Sequence, residues 1–227
     1  NGVAGDYEHW IASGFDSEGW TIEVIDAQHD GALPELSEED AIVITGSASM
    51  VTEHTVWMER AAAWLRQAVA DRIPLLGICF GHQLLAHALG GDVGYNPRGL
   101  EVGTVTINLL EGARRDPLLK DMPGAFQAQV SHQQSVLRLP AGARLLASSD
   151  KDPHQAFAYG HCAWGVQFHP EFDARIVREF IEHYRQRLHD EGASAERLLA
   201  EVVESPDSAA LLRRFALLAS GEMRACR

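Results

Sequence analysis

The residues with the clearest chemical potential lie at 77–83, Gly-Ile-Cys-Phe-Gly-His-Gln. The apolar run at 73–78 predicts a buried strand, and the apolar-rich segment at 84–89 predicts the continuation of a helix. Cys79 is therefore placed at a sharp strand-to-helix turn, the arrangement of a nucleophile elbow. The flanking glycines leave room for strand and helix to pack, and the helix N-terminus favours a thiolate at Cys79.

The alternative interpretation of Cys79 is structural. A lone cysteine after a strand is usually a small buried hydrophobic residue. The predicted strand, the predicted helix and a candidate base downstream together favour the catalytic interpretation.

The candidate base is His169, in the segment Gly-Val-Gln-Phe-His-Pro-Glu-Phe at 165–172. Apolar and polar residues alternate before it, which predicts a strand that delivers His169 to its end, where Pro170 stops ladder pairing. Glu171 could hold the ring nitrogen that does not face the cysteine. Nucleophile, base and orienting carboxylate then form a triad in the chain order Cys, His, Glu. A structural histidine beside a turn is the alternative, since the chain has 11 histidines.

The segments GICFGHQLLAHALGG and GVQFHPEF resemble the two signatures of class I glutamine amidotransferases. The resemblance places the family's triad on Cys79, His169 and Glu171. It extends over most of the chain, because the segments 43–51, 96–107 and 130–149 are also similar to family segments. Among subgroups, the chain most resembles stand-alone proteins similar to the amidotransferase domain of GMP synthase.

The resemblance implies hydrolysis of the glutamine side-chain amide through a γ-glutamyl thioester on Cys79, with release of ammonia. The oxyanion would be held by backbone N–H groups of Phe80 and of the turn at Gly46 and Ser47. The positions that contact substrate in relatives correspond here to Gln83, Ser131 and His132. No cofactor is implied.

Gly46 is also indicated without the resemblance. It follows the apolar, β-branched run 41–45, and loops at the carboxyl ends of parallel strands are where such sheets bind ligands. An ordinary strand-ending glycine is the alternative. The turn Gly46-Ser47-Ala48 departs from the Gly-Gly-Pro of many relatives. Relatives also open with an apolar strand that precedes the segment matching residues 5–10, so we expect that the sequence as given lacks this strand.

Alternating strands and helices predict an α/β fold, an open, mostly parallel sheet flanked by helices. The resemblance implies its flavodoxin-like, class I glutamine amidotransferase type. We expect an amidotransferase domain at 1–190 and a C-terminal helical extension at 191–227 that packs on the same domain. Predicted helices are 6–13, 56–70, 81–89, one from Asp173 to about His189, and two in the tail; predicted strands are 21–25, 41–45, 75–78, 101–110, 128–131, 144–148, 155–159 and 163–168.

Composition narrows the functional classes. A net charge of −13 disfavours nucleic acid and anionic membrane surfaces as partners. No apolar run reaches the roughly 18 residues of a membrane span. The low, odd count of 3 cysteines argues against a disulfide framework and predicts a cytoplasmic location.

No metal site is predicted, because His82, His87 and His132 have no cysteine or carboxylate at zinc-ligand spacing in the sequence.

Three functional hypotheses remain: a glutamine amidotransferase or glutaminase, a γ-glutamyl peptidase with the same triad, and an inactive regulatory protein on the same fold. The expected ligand is glutamine or a γ-glutamyl small molecule. A separate ammonia-accepting synthetase and a homodimer are possible partners, the homodimer through the apolar stripes of the tail helices.

Overall fold

The computed structural model describes residues 6–15, 19–29 and 32–221. Within them, the strands are β1 Ile42–Ile44, β2 Leu75–Ile78, β3 Asp92–Tyr95, β4 Glu101–Leu109, β5 Ala125–His132, β6 Gln134–Arg138, β7 Arg144–Ser148, β8 Ala156–Tyr159 and β9 Ala163–Val166. The α-helices are α1 Tyr7–Gly14, α2 Val56–Ala70, α3 Phe80–Ala88, α4 Ala174–His183, α5 Arg185–Asp190, α6 Ala195–Glu201 and α7 Pro206–Ala219.

The larger sheet has the strand order β1-β2-β9-β8-β7-β4-β5. Strands β1, β2 and β9 are parallel, and every following pair is antiparallel. The predicted α/β architecture, a sheet flanked by helices, is confirmed. The expectation of a mostly parallel sheet is wrong for the described strands, because β7, β8 and β9 follow one another through short links, whereas parallel neighbours need a long crossover such as α2.

Two further differences concern strands. The predicted strand at 21–25 does not form. Its β-branched residues Ile22 and Val24 are 46% and 59% exposed, so their side chains do not pack in a core. Strands β3 and β6, which the sequence did not predict as a unit, form a separate antiparallel pair. The predicted helix from Asp173 to His189 is divided at Tyr184 into α4 and α5.

The two faces of the central strands pack into different apolar clusters. Leu75 and Ala163 join the cluster that α2 and α3 cover. Leu76 and Trp164, their neighbours in sequence, join the cluster that contains residues of α1 and α7. This alternation follows from the two-residue period of strand side chains, and it sandwiches β2 and β9 between helices.

The C-terminal helices contribute to these cores. Leu211, Leu212 and Phe215 of α7 are buried in the same cluster as β2 and β9, and Leu198 and Leu199 of α6 pack on a third cluster with α4. The division of the chain at residue 190 stays a prediction.

No helix among the described residues combines the length and apolar character needed to cross a bilayer.

Replacement of Phe215 tests whether α7 belongs to the cooperative core. Its side chain has 0% exposure, and its ring centroid lies 6.3 Å from those of Phe15 and Trp164. We expect Phe215→Ala to lower the free energy of unfolding by about 3–5 kcal/mol in one transition, measured by urea denaturation. The control Val203→Ala, at a 48% exposed residue, should change it by at most about 0.5 kcal/mol. A separate early transition, or a loss as small as the control's, would contradict the assignment.

Candidate active site

Cys79 occupies the turn between β2 and α3 in a strained backbone conformation. Its φ of 51° and ψ of −101° are values that a residue with a side chain rarely adopts. The backbone N–H of Cys79 donates to the carbonyl of Val166 at 2.9 Å, which ties the turn to the end of β9. The sharp strand-to-helix turn predicted at Cys79 is therefore present in the described structure.

The glycines on either side of Cys79 are required by packing. A Cβ atom at Gly77 would lie 2.5 Å from the carbonyl oxygen of Gly81, and a Cβ atom at Gly81 would lie 2.3 Å from that of Ile44. Both distances are far below van der Waals contact with backbone atoms that cannot move aside. Any side chain at either position would push α3 away from the sheet and displace Cys79.

The Cys79 thiol is buried and free. Its Sγ lies 3.8 Å from the carbonyl oxygen of Ser131, at the end of β5. Burial by itself raises the pKa of the thiol. The charge on His169, a side-chain hydrogen bond with that ring and the charge on His132 outweigh burial, so the pKa of Cys79 lies below its ordinary value.

His169 is held by backbone pairing on one side and by a carboxylate on the other. Its N–H donates to the carbonyl of Gln129 in β5 at 2.8 Å, and its Nδ1 lies 2.7 Å from Oε1 of Glu171. Burial lowers the pKa of His169, but the charges of Glu171 and Cys79 raise it to about 10. A lowered thiol pKa beside a raised imidazole pKa favours the thiolate and imidazolium forms of the pair.

Two aromatic rings fix the plane of the His169 imidazole. Phe172 stacks on it at a centroid distance of 3.9 Å and an interplanar angle of 6°, and Tyr7 of α1 lies at 6.0 Å. Burial and the nearby charges of Cys79 and Glu171 raise the pKa of Tyr7, so its hydroxyl stays protonated. The sequence did not assign a role to Tyr7. The only indication in the sequence was its place in the segment that matches the family near the N-terminus.

The backbone donors expected to stabilise the oxyanion belong to Phe80, the residue after Cys79, and to the turn at Gly46 and Ser47. Phe80 begins α3, so its N–H is one of the first-turn donors that have no intrahelical acceptor. A Cβ atom at Gly46 would lie 2.8 Å from Cε1 of Tyr7 and 3.0 Å from Cε1 of His169, which places Gly46 against the His169 ring. The side chain of Ser47 is occupied locally, since its Oγ accepts from the N–H of Ser49 at 3.1 Å.

The three predicted substrate contacts are all near the elbow, but their roles differ. The side-chain amide nitrogen of Gln83 donates two hydrogen bonds, one to the carbonyl of Gln134 at 2.8 Å and one to Oε1 of Gln167 at 2.9 Å. Ser131 places its carbonyl, rather than its hydroxyl, against Cys79. The assignment of Gln83, Ser131 and His132 to substrate binding stays a prediction.

His132 is a second buried histidine that acts on the thiol. Its Nε2 lies 2.7 Å from Oε2 of Glu101, and its Nδ1 lies 2.9 Å from the carbonyl of Gln134. Burial lowers the pKa of His132, but the hydrogen bond and charge of Glu101 raise it above its ordinary value. The Glu101 carboxylate is held in turn by Ser149 and Gln155. His132 therefore adds positive charge beside Cys79, which the sequence did not predict.

Two further residues, His82 and Cys162, have no ionised or free reactive side chain. His82 is fully buried against Phe157, at a ring distance of 5.0 Å, and burial lowers its pKa to about 4, so it is neutral. Cys162 is buried directly before β9 and is disulfide-bonded, so it has no free thiol that could act as a second nucleophile.

Comparison with known proteins identifies the family of the chain. The family model for glutamine amidotransferase class-I matches residues 3–182. The chain is 34% identical to gamma-glutamyl peptidase 5 of Arabidopsis thaliana, over 74% of this chain and 68% of that protein. It is also 34% identical to a glutamine-hydrolyzing GMP synthase subunit of Sulfolobus acidocaldarius, over 74% of this chain and 85% of that one.

Solved structures agree in fold. A glutamine amidotransferase from Thermotoga maritima superposes with a TM-score of 0.68 and 26% identity, over 82% of this chain and 80% of that chain. A glutamine amidotransferase from Methylobacillus flagellatus gives a TM-score of 0.72 at 23% identity, over 97% and 90%. Sequence signatures, fold and family model lead to one conclusion: this chain belongs to the class I glutamine amidotransferase family.

Proposed function

We propose that this protein hydrolyses a γ-glutamyl amide, with glutamine as the reference substrate, through a thioester on Cys79. The observation that carries the proposal is the buried arrangement of Cys79, His169 and Glu171 at a strained elbow. Positive neighbours outweigh burial and lower the pKa of the Cys79 thiol, and Glu171 fixes the imidazole that must exchange protons with substrate.

The proposed reaction has two halves. The Cys79 thiolate attacks the amide carbon, and the oxyanion is stabilised by the Phe80 N–H and the turn at Gly46 and Ser47. His169 gives its proton to the leaving nitrogen, the C–N bond breaks, and ammonia or an amine departs. Water then attacks the thioester while His169 accepts its proton, which releases the γ-carboxylate and restores the thiolate. One water is consumed and one amide bond is broken.

Glu171 acts through His169 in this scheme. One of its oxygens contacts Nδ1 of the ring, and the other, Oε2, is buried without a hydrogen-bond partner among the described residues. Such a carboxylate stabilises the imidazolium and fixes which nitrogen faces the thiol.

A γ-glutamyl peptidase is the second candidate, and the similarity to gamma-glutamyl peptidase 5 favours it. The chemistry is unchanged, since only the departing amine is larger. In the first candidate, the ammonia would pass to a separate synthetase, and the similarity to a GMP synthase subunit supports this partner. The intact set of Cys79, His169 and Glu171 argues against an inactive regulatory protein.

Substitution of the three residues tests their roles. We expect Cys79→Ala to abolish turnover. His169→Ala should lower kcat by about 10²–10⁴-fold because the proton relay is lost. Glu171→Gln should cost less, since the imidazole remains but loses its carboxylate. Steady-state ammonia release, with folding checked by circular dichroism, measures these effects.

His189→Ala is the matched control for loss of a histidine, because His189 is exposed beyond the site, in α5. Its activity should equal that of the parent protein. Equal and negligible effects of the His169 and Glu171 variants would show that the triad has been misplaced.

A substrate panel distinguishes the two candidate functions. Because Ser47 and Ala48 replace the family's common turn residues, we expect an incompletely formed oxyanion hole and slow hydrolysis of free glutamine by the isolated protein. Steady-state turnover of glutamine and of γ-glutamyl dipeptides should be compared, with the acyl-enzyme followed by intact mass. Faster release from dipeptides would favour the peptidase. A kcat for glutamine within about 1–10³ s⁻¹ would contradict the expected slow turnover of the isolated protein.

A further inference from the structure

Three side chains from separate elements meet on the surface over α2 and α3. His54 directly follows the 3-10 turn Val51–Glu53, Glu59 lies in the first turn of α2, and His87 lies in the last turn of α3. Oε1 of Glu59 is 3.0 Å from Nδ1 of His54 and 2.9 Å from Nε2 of His87. All three ligand-type atoms lie within 4.8 Å of one another.

We propose that His54, Glu59 and His87 bind a divalent transition-metal ion of the zinc class. Two imidazole nitrogens and one carboxylate oxygen are the donors that zinc accepts, while calcium and magnesium prefer oxygen alone. The metal would replace the protons that now join both rings to one carboxylate oxygen.

The distances suit a small cation. Zinc ligands at about 2.0–2.2 Å in tetrahedral geometry lie roughly 3.3–3.5 Å from one another. The two nitrogen-to-oxygen distances are slightly shorter than this, and no pair exceeds 4.8 Å. Side-chain rotation alone can therefore open the cluster around an ion.

The cluster is accessible and partly preorganised. Exposure of the three side chains is 56% for His54, 47% for Glu59 and 23% for His87, so an ion can enter from solvent and keep a water as fourth ligand. His54 is held in a left-handed backbone conformation with φ of 47°, and its ring centroid lies 5.0 Å from that of His87. The two rings are thus adjacent before any ion binds.

The site is separate from the candidate active site but shares a helix with it. Cys79 and His87 lie at opposite ends of α3, about 12 Å apart at 1.5 Å per residue. A bound ion would link the start of α2 to the end of α3, the two helices whose residues Trp57 and Phe80 are also in ring contact at 5.6 Å. Metal binding should therefore stabilise the folded state.

The proposal differs from the expectation, drawn from the sequence, that no metal is bound. In the sequence, no carboxylate stands at zinc-ligand spacing from His87, because Glu59 lies 28 residues before it. Packing of α2 against α3 supplies the carboxylate, so the cluster exists only in the tertiary structure.

Direct metal titration tests the proposal. The chelator-treated protein is studied as Cys79→Ser, so that the active thiol cannot bind the ion. Calorimetry with Zn²⁺, and visible absorption with Co²⁺, should show one equivalent bound. His54→Ala, Glu59→Gln and His87→Ala should each weaken binding by at least about 10-fold. Zn²⁺ should raise the Tm of the parent, but not that of the His87 variant.

His29→Ala is the matched control, because His29 also pairs with a carboxylate at 2.8 Å on the surface. It should leave metal affinity unchanged. Absence of any binding, or unchanged affinity in all three variants, would overturn the proposal. If His87→Ala does not fold, Glu59→Gln decides the question, since the amide keeps the shape of the side chain and lacks its charge.

Discussion

The buried charge pair of Cys79 and His169 is the interaction on which the site depends. A buried thiol would ordinarily be neutral and unreactive, because burial raises its pKa. Two histidines, each held by a carboxylate, reverse this effect. Glu171 keeps His169 charged, and Glu101 raises the pKa of His132. Two buried carboxylates thus support two imidazoles that together lower the pKa of one buried thiol.

The fold serves this pair by bringing three strand ends together. Strand β2 carries Cys79 into its strained turn, β9 leads to His169, and the end of β1 leads to Gly46, where no side chain would fit. Strand β5 reaches across to hold the backbone of His169 and to place the Ser131 carbonyl near the thiol.

The C-terminal region supports the same strand from behind. The Gln129 amide in β5 donates to the carbonyl of Val203 at 2.7 Å, and its oxygen accepts from Thr104 at 2.8 Å. The residue whose carbonyl anchors His169 is therefore fixed by the segment between α6 and α7. This contact connects the C-terminal helices physically to the candidate site.

The sequence predicted the parts of the site that are local in the chain. The elbow around Cys79 and the spacing of His169 and Glu171 could be recognised because a strand, a turn and the next few residues set their geometry. The stacking of Tyr7, the pairing of His132 with Glu101 and the cluster of His54, Glu59 and His87 could not, because each joins residues distant in sequence. The strand expected at 21–25 failed for the same reason: β-branched residues indicate a strand, but only a partner and a core make one.

The most direct test of the charge pair is the ultraviolet absorbance of the Cys79 thiolate as a function of pH, taken as the difference between the protein and Cys79→Ser. The lowered pKa of Cys79 means that the thiolate is present above that pKa and disappears as the pH falls through it. The account therefore predicts a midpoint below the ordinary value of about 8.5. A midpoint at or above that value would contradict it.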